Sequence, residues 1–135
     1  MAELVFLTPQ VLINAQDLSD HIRSATLTYD ADAPEITASG DGTRTYLGGL
    51  LGWSVSMEFN QDYAADEVDD ELFPIVGTVV AFELKADDAA TSGTNPSYEG
   101  NVILTSYQPI GGNIGDAQTA PVSLQGSGTL SREVT

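Results

Sequence analysis

The chain has 135 residues, with 20 Asp and Glu against 4 Lys and Arg, a formal charge of −16, and no cysteine. This length suits one domain with a core of its own, and the missing thiols exclude disulfide scaffolds, thiolate zinc sites and cysteine nucleophiles. So few bases leave little to displace counterions from nucleic acid and no basic amphipathic stretch for an anionic membrane, while solubility alone accounts for the acidic excess.

The opening Met-Ala-Glu-Leu lacks the basic stretch of a secretory signal. No apolar run reaches membrane-spanning length; the longest, 75–84, is broken by Gly77, Thr78 and Glu83. A soluble protein made in the cytoplasm is the expectation.

Residues 4–7 and 11–14 are short β-prone runs parted by Thr8-Pro9. Residues 16–22, with Leu18 and Ile22 four apart, read as a turn or a single helical turn. Residues 23–30 then alternate, with Ala25, Leu27 and Tyr29 on one face and Ser24, Thr26, Thr28 and Asp30 on the other. Residues 31–51 are irregular and hold Pro34, Gly40, Gly42, Gly48 and Gly49. A connection this long in a small domain is usually functional or disordered. It begins acidic, with Asp32 and Glu35, and its late residues Tyr46, Leu47, Leu50 and Leu51 would give a flexible arm an apolar tip.

Residues 53–60 alternate Trp53, Val55, Met57 and Phe59 with Ser54, Ser56, Glu58 and Asn60. Residues 62–73 read as the only helix, with Asp62 as N-cap and acidic early turns that the helix dipole favours. Its stripe is Val68, Leu72, Ile75 and Val76, ended by Pro74 and Gly77. Residues 78–85 are strongly β and nearly continuously apolar over 79–82, as in a strand covered on both faces. After a loop of small residues, 97–108 form a long strand with Val102 and Leu104 facing one way and Ile103 and Tyr107 the other. Which of its faces continues the polar one is left open. A glycine-rich loop over 109–119 leads to the last strand, about 120–133, where Val122, Leu124, Gly126, Gly128 and Leu130 oppose Ser123, Gln125, Ser127, Thr129 and Ser131. Several strands, one helix and no βαβ rhythm predict an all-β, antiparallel two-sheet β-sandwich with one short α-helix and a long β-hairpin-type loop.

The polar faces of these strands are unusual. Exposed strands ordinarily carry Lys, Arg and Glu in quantity, and these carry mostly hydroxyls and amides. Catalytic chemistry is not evident. His21, the only histidine, sits in a polar turn without a nucleophile elbow and reads as an exposed structural residue. The run 66–71 lacks the ligand spacing of an EF-hand and reads as a solvated helix face. The segment 111–116 opens no helix and has no Lys, so it is not a phosphate loop. Tyr29, Trp53, Phe59, Phe82 and Tyr107 suit a core better than a sugar-stacking platform. No catalytic, metal or cofactor-binding set emerges, so an enzyme is not expected.

Taken in order, four stretches carry a resemblance: Val11 through Leu27; Gly52-Trp53 through Asn60 with an acidic helix ending in Leu72-Phe73-Pro74; Tyr98 through Tyr107 with a Gly-rich loop holding Gly115-Asp116; and Val122-Ser-Leu-Gln-Gly-Ser-Gly128. In these the chain resembles the major tail (tail tube) proteins of long-tailed bacteriophages. The resemblance implies a β-sandwich flanked by one helix, assembled into six-subunit rings that stack into a hollow tube. Strands of all subunits would join in a barrel around a lumen that passes DNA, as in the related tubes of type VI secretion and other injection systems. It implies a virion tail location, with tape-measure and tail terminator proteins as partners and genomic DNA passing without tight binding.

On that reading the lumen candidates are Ser24, Thr26, Thr28, Asp30, Ser54, Ser56, Glu58, Asn60, Ser123, Gln125 and Ser127, since hydroxyls, amides and some carboxylates hydrate a wall and do not grip phosphate. The ring-stacking candidates are Asp32, Glu35, Tyr46, Leu47, Leu50 and Leu51 in the loop 31–51. The stretches 1–9 and 130–135 would be inter-subunit arms of a single domain, 1–135. The alternative is a carbohydrate- or calcium-binding β-sandwich module, and a carboxylate-pair enzyme has no motif to support it.

Overall fold

The computed structural model describes residues 9–134. The β-prone run 4–7 lies outside them. Seven strands follow in chain order: β1 (Gln10–Ile13), β2 (Gln16–Asp17), β3 (Ile22–Ala31), β4 (Leu51–Asn60), β5 (Val79–Lys85), β6 (Ser97–Tyr107) and β7 (Thr119–Glu133). All pair antiparallel, in the order β2-β1-β5-β6-β7-β4-β3. The all-β antiparallel class with one short helix is what the alternation called for. The ladder runs through all seven strands without a break, so the hydrogen bonds draw no division into two sheets.

Curvature supplies the second layer. Ala25 and Leu27 of β3 line one cavity with Leu84 of β5, four strands away. A flat sheet would hold those strands about 19 Å apart, so the sheet folds over on itself. The inward residues of five strands fill the fold: Val11 and Ile13; Val80, Phe82 and Leu84; Val102 and Leu104; Val122 and Leu124; and Trp53, Val55, Met57 and Phe59. The β1–β2 turn has two residues, Asn14 and Ala15, both at positive φ (54° and 66°). That backbone matches the strand twist of a tight hairpin.

Trp53 is the keystone of the inward face. Its indole lies flat across β7 and β6, over Gly126 and Gly100, where an added Cβ would come within 2.3 Å and 2.6 Å of the ring. It ends against Phe82 of β5, with ring centroids 6.2 Å apart. Its Nε1 donates to the Gly128 carbonyl at 3.1 Å. Glycine at these two positions is thus a steric requirement of the tryptophan.

Three sequence expectations change. The helix is only α1 (Val68–Leu72), followed by a 3-10 turn, Phe73–Ile75. Asp66 is left-handed at φ 62°, and the Asp62 and Asp70 carboxylates accept the backbone N–H groups of Ala64 and Asp66. These local bonds compete with a helical ladder. Val68 and Leu72 are fully buried as the stripe requires, whereas Val76 is exposed. Secondly, the apolar run of β5 is not covered on both faces: Val79 is 57% exposed and Ala81 is exposed as well, and the outward face closes only towards Lys85. Thirdly, β6 changes phase. An irregularity between Leu104 and Ser106 brings Tyr107 opposite Val122 and turns it inward, so Tyr107 and Ile103 do not share a face.

Tyr107 then fastens α1 to the sheet. Its hydroxyl donates to Asp69 Oδ1 at 2.7 Å and accepts from Gln61 Nε2 at 3.0 Å. Burial pushes the phenol well above its ordinary value; Asp69 adds to the shift, and the Gln61 hydrogen bond opposes it. A folded-state value above the unfolded one, about 10, means that the neutral phenol stabilises the fold fully below pH ~10 and loses that contribution as pH rises through the folded value. Tyr107→Phe should therefore cost about 1 kcal/mol at neutral pH, and should flatten the loss of stability in urea titrations run above pH ~10.

Candidate functional site

The alternation of β3, β4 and β7 and their register build one outward face. Thr28, Ser54 and Gln125 form one cross-strand row, and Thr26, Ser56 and Ser123 the next. Ser24 pairs with Glu58, Asp30 with Gly52, and Asn60 with Thr119. Ser127 extends β7 on the same face, opposite Asn101 of β6. The eleven polar residues singled out in the sequence are therefore brought together on three neighbouring strands. Two side chains near this face are tied to the sheet: Gln125 Nε2 donates to the Trp53 carbonyl at 3.0 Å and Thr105 Oγ1 to the Ser123 carbonyl at 3.1 Å. Charge is confined to the ends. Glu58 sits 3.5 Å from Arg23, the residue at the irregularity between Ile22 and Ser24.

The register also settles the phase of β6. Glu99, Asn101 and Ile103 face outward, opposite Ser131, Ser127 and Gln125. Asn101 thus joins the polar face, which gives way beyond it to Ile103 and Val79, a cross-strand pair on β6 and β5. Alternation alone could not find this, because the irregularities of β6 obscure its period.

The loop between β3 and β4 is a hairpin arm, which agrees with the expected loop type. Asp32 N–H donates to Leu50 O and Gly49 N–H to Asp32 O at its base; Leu47 N–H to Pro34 O and Ile36 N–H to Thr45 O follow. Glu35 bridges Tyr46. The turn at the end, 38–41, is polar, closed by Asp41 N–H to Ala38 O and Ala38 N–H to Asp41 Oδ2. The apolar residues therefore do not form a tip; they lie on the returning limb. Tyr46, Leu47, Leu50 and Leu51 are 51%, 55%, 81% and 65% exposed. Asp32 and Glu35 occupy the outgoing limb. Leu130 through Glu133 lie within β7, and Ser131 to Glu133 pair with β6.

His21 is not the exposed residue of the sequence reading. Its side chain is 19% exposed and Nε2 lies 2.6 Å from Glu67 Oε2, 3.6 Å from Asp62 and 3.8 Å from Asp20. It links the turn before β3 to the start of α1. The acidic run is only partly a solvated face, since Glu67 and Asp69 are engaged by His21 and Tyr107. Burial raises the Glu71 carboxyl, with Asp66 and Asp70 adding repulsion. Ligand atoms of Asp66, Asp70 and Glu71, and of Asp20, His21 and Glu67, lie close enough for a cation to be held. Neither group has a further feature that marks an ion. Trp53, Phe59 and Phe82 are buried and cannot stack on a sugar. Among the described residues no helix is long and apolar enough to cross a membrane.

No protein-family model matches the chain. No curated protein matches it by sequence. Solved structures do match it. A chain of the virion of a native gene transfer agent (GTA) particle aligns with TM-score 0.74 at 18% identity, over 93% of this chain and 95% of that one. A chain of the tail of an empty GTA particle, refined with C6 symmetry, gives 0.66 at 21% identity, over 82% and 81%. The SPP1 tail tube gives 0.69 at 10% identity, over 93% and 77%. The fold is therefore that of phage-type tail tube proteins. On that fold the chain combines a hydroxyl-rich outer face with an arm whose returning limb is apolar.

Proposed function

We propose that this protein is a structural subunit of a virion tail tube, self-assembled as stacked six-membered rings, and not an enzyme. The observation that carries the reading is the outward face: rows of hydroxyl and amide side chains in register across three strands, on a fold shared with tail tube chains. β3 is an edge strand, and an unpaired edge is normally a liability that a closed ring of sheets removes. C6 symmetry in the GTA tail supports six subunits per ring. The polar rows form the bore, where Ser24, Thr26, Thr28, Asp30, Ser54, Ser56, Glu58, Asn60, Ser123, Gln125 and Ser127 meet DNA through water. Tape-measure and terminator proteins complete the tail.

The arm joins one ring to the next. Of 13 large hydrophobic residues exposed among the described residues, five (Ile36, Tyr46, Leu47, Leu50 and Leu51) lie on the arm or where it rejoins β4. A mere surface loop would not gather them. Leu47→Asp with Leu50→Asp should leave unfolding stability within about 0.5 kcal/mol of wild type, as expected of exposed sites. Electron microscopy should show rings and no tubes. Tubes of wild-type length from this variant would remove the arm from the stacking role.

A further inference from the structure

The two ends of the strands display different surfaces. β3 runs to Ala31 and β4 begins at Leu51, so the arm leaves the sheet at one end. β4 finishes at Asn60 beside Thr119, and Tyr107 of β6 stands opposite Val122, so the loop from β6 to β7 lies at the other end, about 30 Å away. That loop, 108–118, carries Ile114 fully exposed and Ile110 nearly so. Its backbone is held firmly. The Pro109 carbonyl accepts from Gln61 Nε2 at 2.6 Å, from the Tyr63 hydroxyl at 2.7 Å and from Gln118 Nε2 at 3.3 Å. Asp116 N–H donates to Asn113 O at 3.0 Å and closes a turn that contains Ile114. Two large aliphatic side chains are thus held out into water by a hydrogen-bonded frame, an arrangement with nothing to gain in a lone subunit.

The arm is the complementary surface. Its outgoing limb, 32–38, spans about 20 Å, and its returning limb presents Tyr46 and Leu47 to solvent. Charge favours the pair. At −16, most surfaces of two copies repel each other. The returning limb, 44–51, holds one charged residue, Arg44, and the loop 108–118 holds one of opposite sign, Asp116. Arg44 is 79% exposed and only 3.9 Å contact with Glu35 holds it, so it is free to meet a second chain. Within one chain the length of β3 and β4 separates the two surfaces. Matching surfaces at opposite ends of a subunit make a head-to-tail contact, which repeats without closing and builds a filament.

We propose that Tyr46 and Leu47 of one chain seat against Ile110 and Ile114 of a second copy of this chain in the next ring. The contact presupposes stacked rings, and it identifies the surface that receives the arm. Each contact is small, and its repetition around a ring junction holds the stack by avidity. The absence of cysteine lets Leu47→Cys and Ile114→Cys be made as separate variants carrying different mass tags. Co-assembled and treated with a short bifunctional thiol reagent, they should give a cross-linked dimer that contains one copy of each. Ile110→Asp with Ile114→Asp should keep the unfolding midpoint and the rings of wild type and lower tube formation at least ~10-fold. Tubes that lack the mixed dimer, or tubes of normal length from the double Asp variant, would overturn the contact and leave the tube reading standing. A wild-type protein that forms neither rings nor tubes would overturn the tube reading and the contact with it.

Discussion

Trp53→Ala lowers the stability of the domain by about 3–5 kcal/mol, the usual cost of truncating a fully buried large aromatic. Trp53 is 2% exposed, and its ring covers parts of three strands at once, so its loss opens β7, β6 and β5 together. The bond from its Nε1 to the Gly128 carbonyl goes as well, in the segment where β7 has extra residues relative to β6. Gly126→Ala attacks the same contact from the other side. A methyl 2.3 Å from the indole forces the ring or the strand to move, at a cost of about 1–3 kcal/mol. Because one contact underlies both effects, they should not add: in the Trp53→Ala background, Gly126→Ala should become nearly neutral. Urea unfolding of the four proteins of this cycle checks the claim. Additive costs would mean that the tryptophan does not rest on the glycine.

In the proposed tube, Ser54→Lys with Ser56→Lys turns a non-adhesive bore into one that binds DNA. Both residues point outward from β4, between β7 and β3, in the middle of the hydroxyl rows. Neither bears on the core, so folding and ring formation should stay as in wild type. With six subunits per ring in the proposed tube, the double substitution places rings of cations along the path of the phosphates. Such contacts gain affinity by counterion release and lose it steeply with salt. Assembled variant tubes should retain DNA at low ionic strength and release it when salt is raised, and particles built from them should deliver at least ~10-fold less DNA. Wild-type tubes should retain none. Unchanged delivery would remove Ser54 and Ser56 from the lumen.

Much of the fold was legible because alternation is a local signal. The phases of β3, β4 and β7 follow directly from residues such as Thr26 against Leu27 and Ser56 against Val55. What local pattern could not carry is where a strand slips or a helix stops. Tyr107 reads as a partner of Ile103 until the irregularity after Leu104 rotates it inward. The acidic stretch reads as helix until Asp66 takes a left-handed backbone and neighbouring carboxylates occupy the N–H groups a helix would use. Val79 and Ala81 look like buried positions, because a run of apolar residues does not say whether its second face is covered. The reach of Trp53 over two strands had a sequence signal after all: Gly100 and Gly126 are small residues at inward positions. The placement of the apolar arm residues on the returning limb had none, since it follows from the pairing of Glu35 with Tyr46.

The polar face and the fold together make the wall of a conduit the central claim, and the orientation of the sheet in an assembly tests it most directly. Electron cryomicroscopy of the purified protein after assembly should show six-membered rings, stacked into a hollow tube, with Ser54, Ser56, Ser123 and Gln125 lining the bore and residues 31–50 reaching the adjacent ring. A tube with these side chains on its outer surface, or a protein that stays monomeric at every concentration and salt, would contradict it.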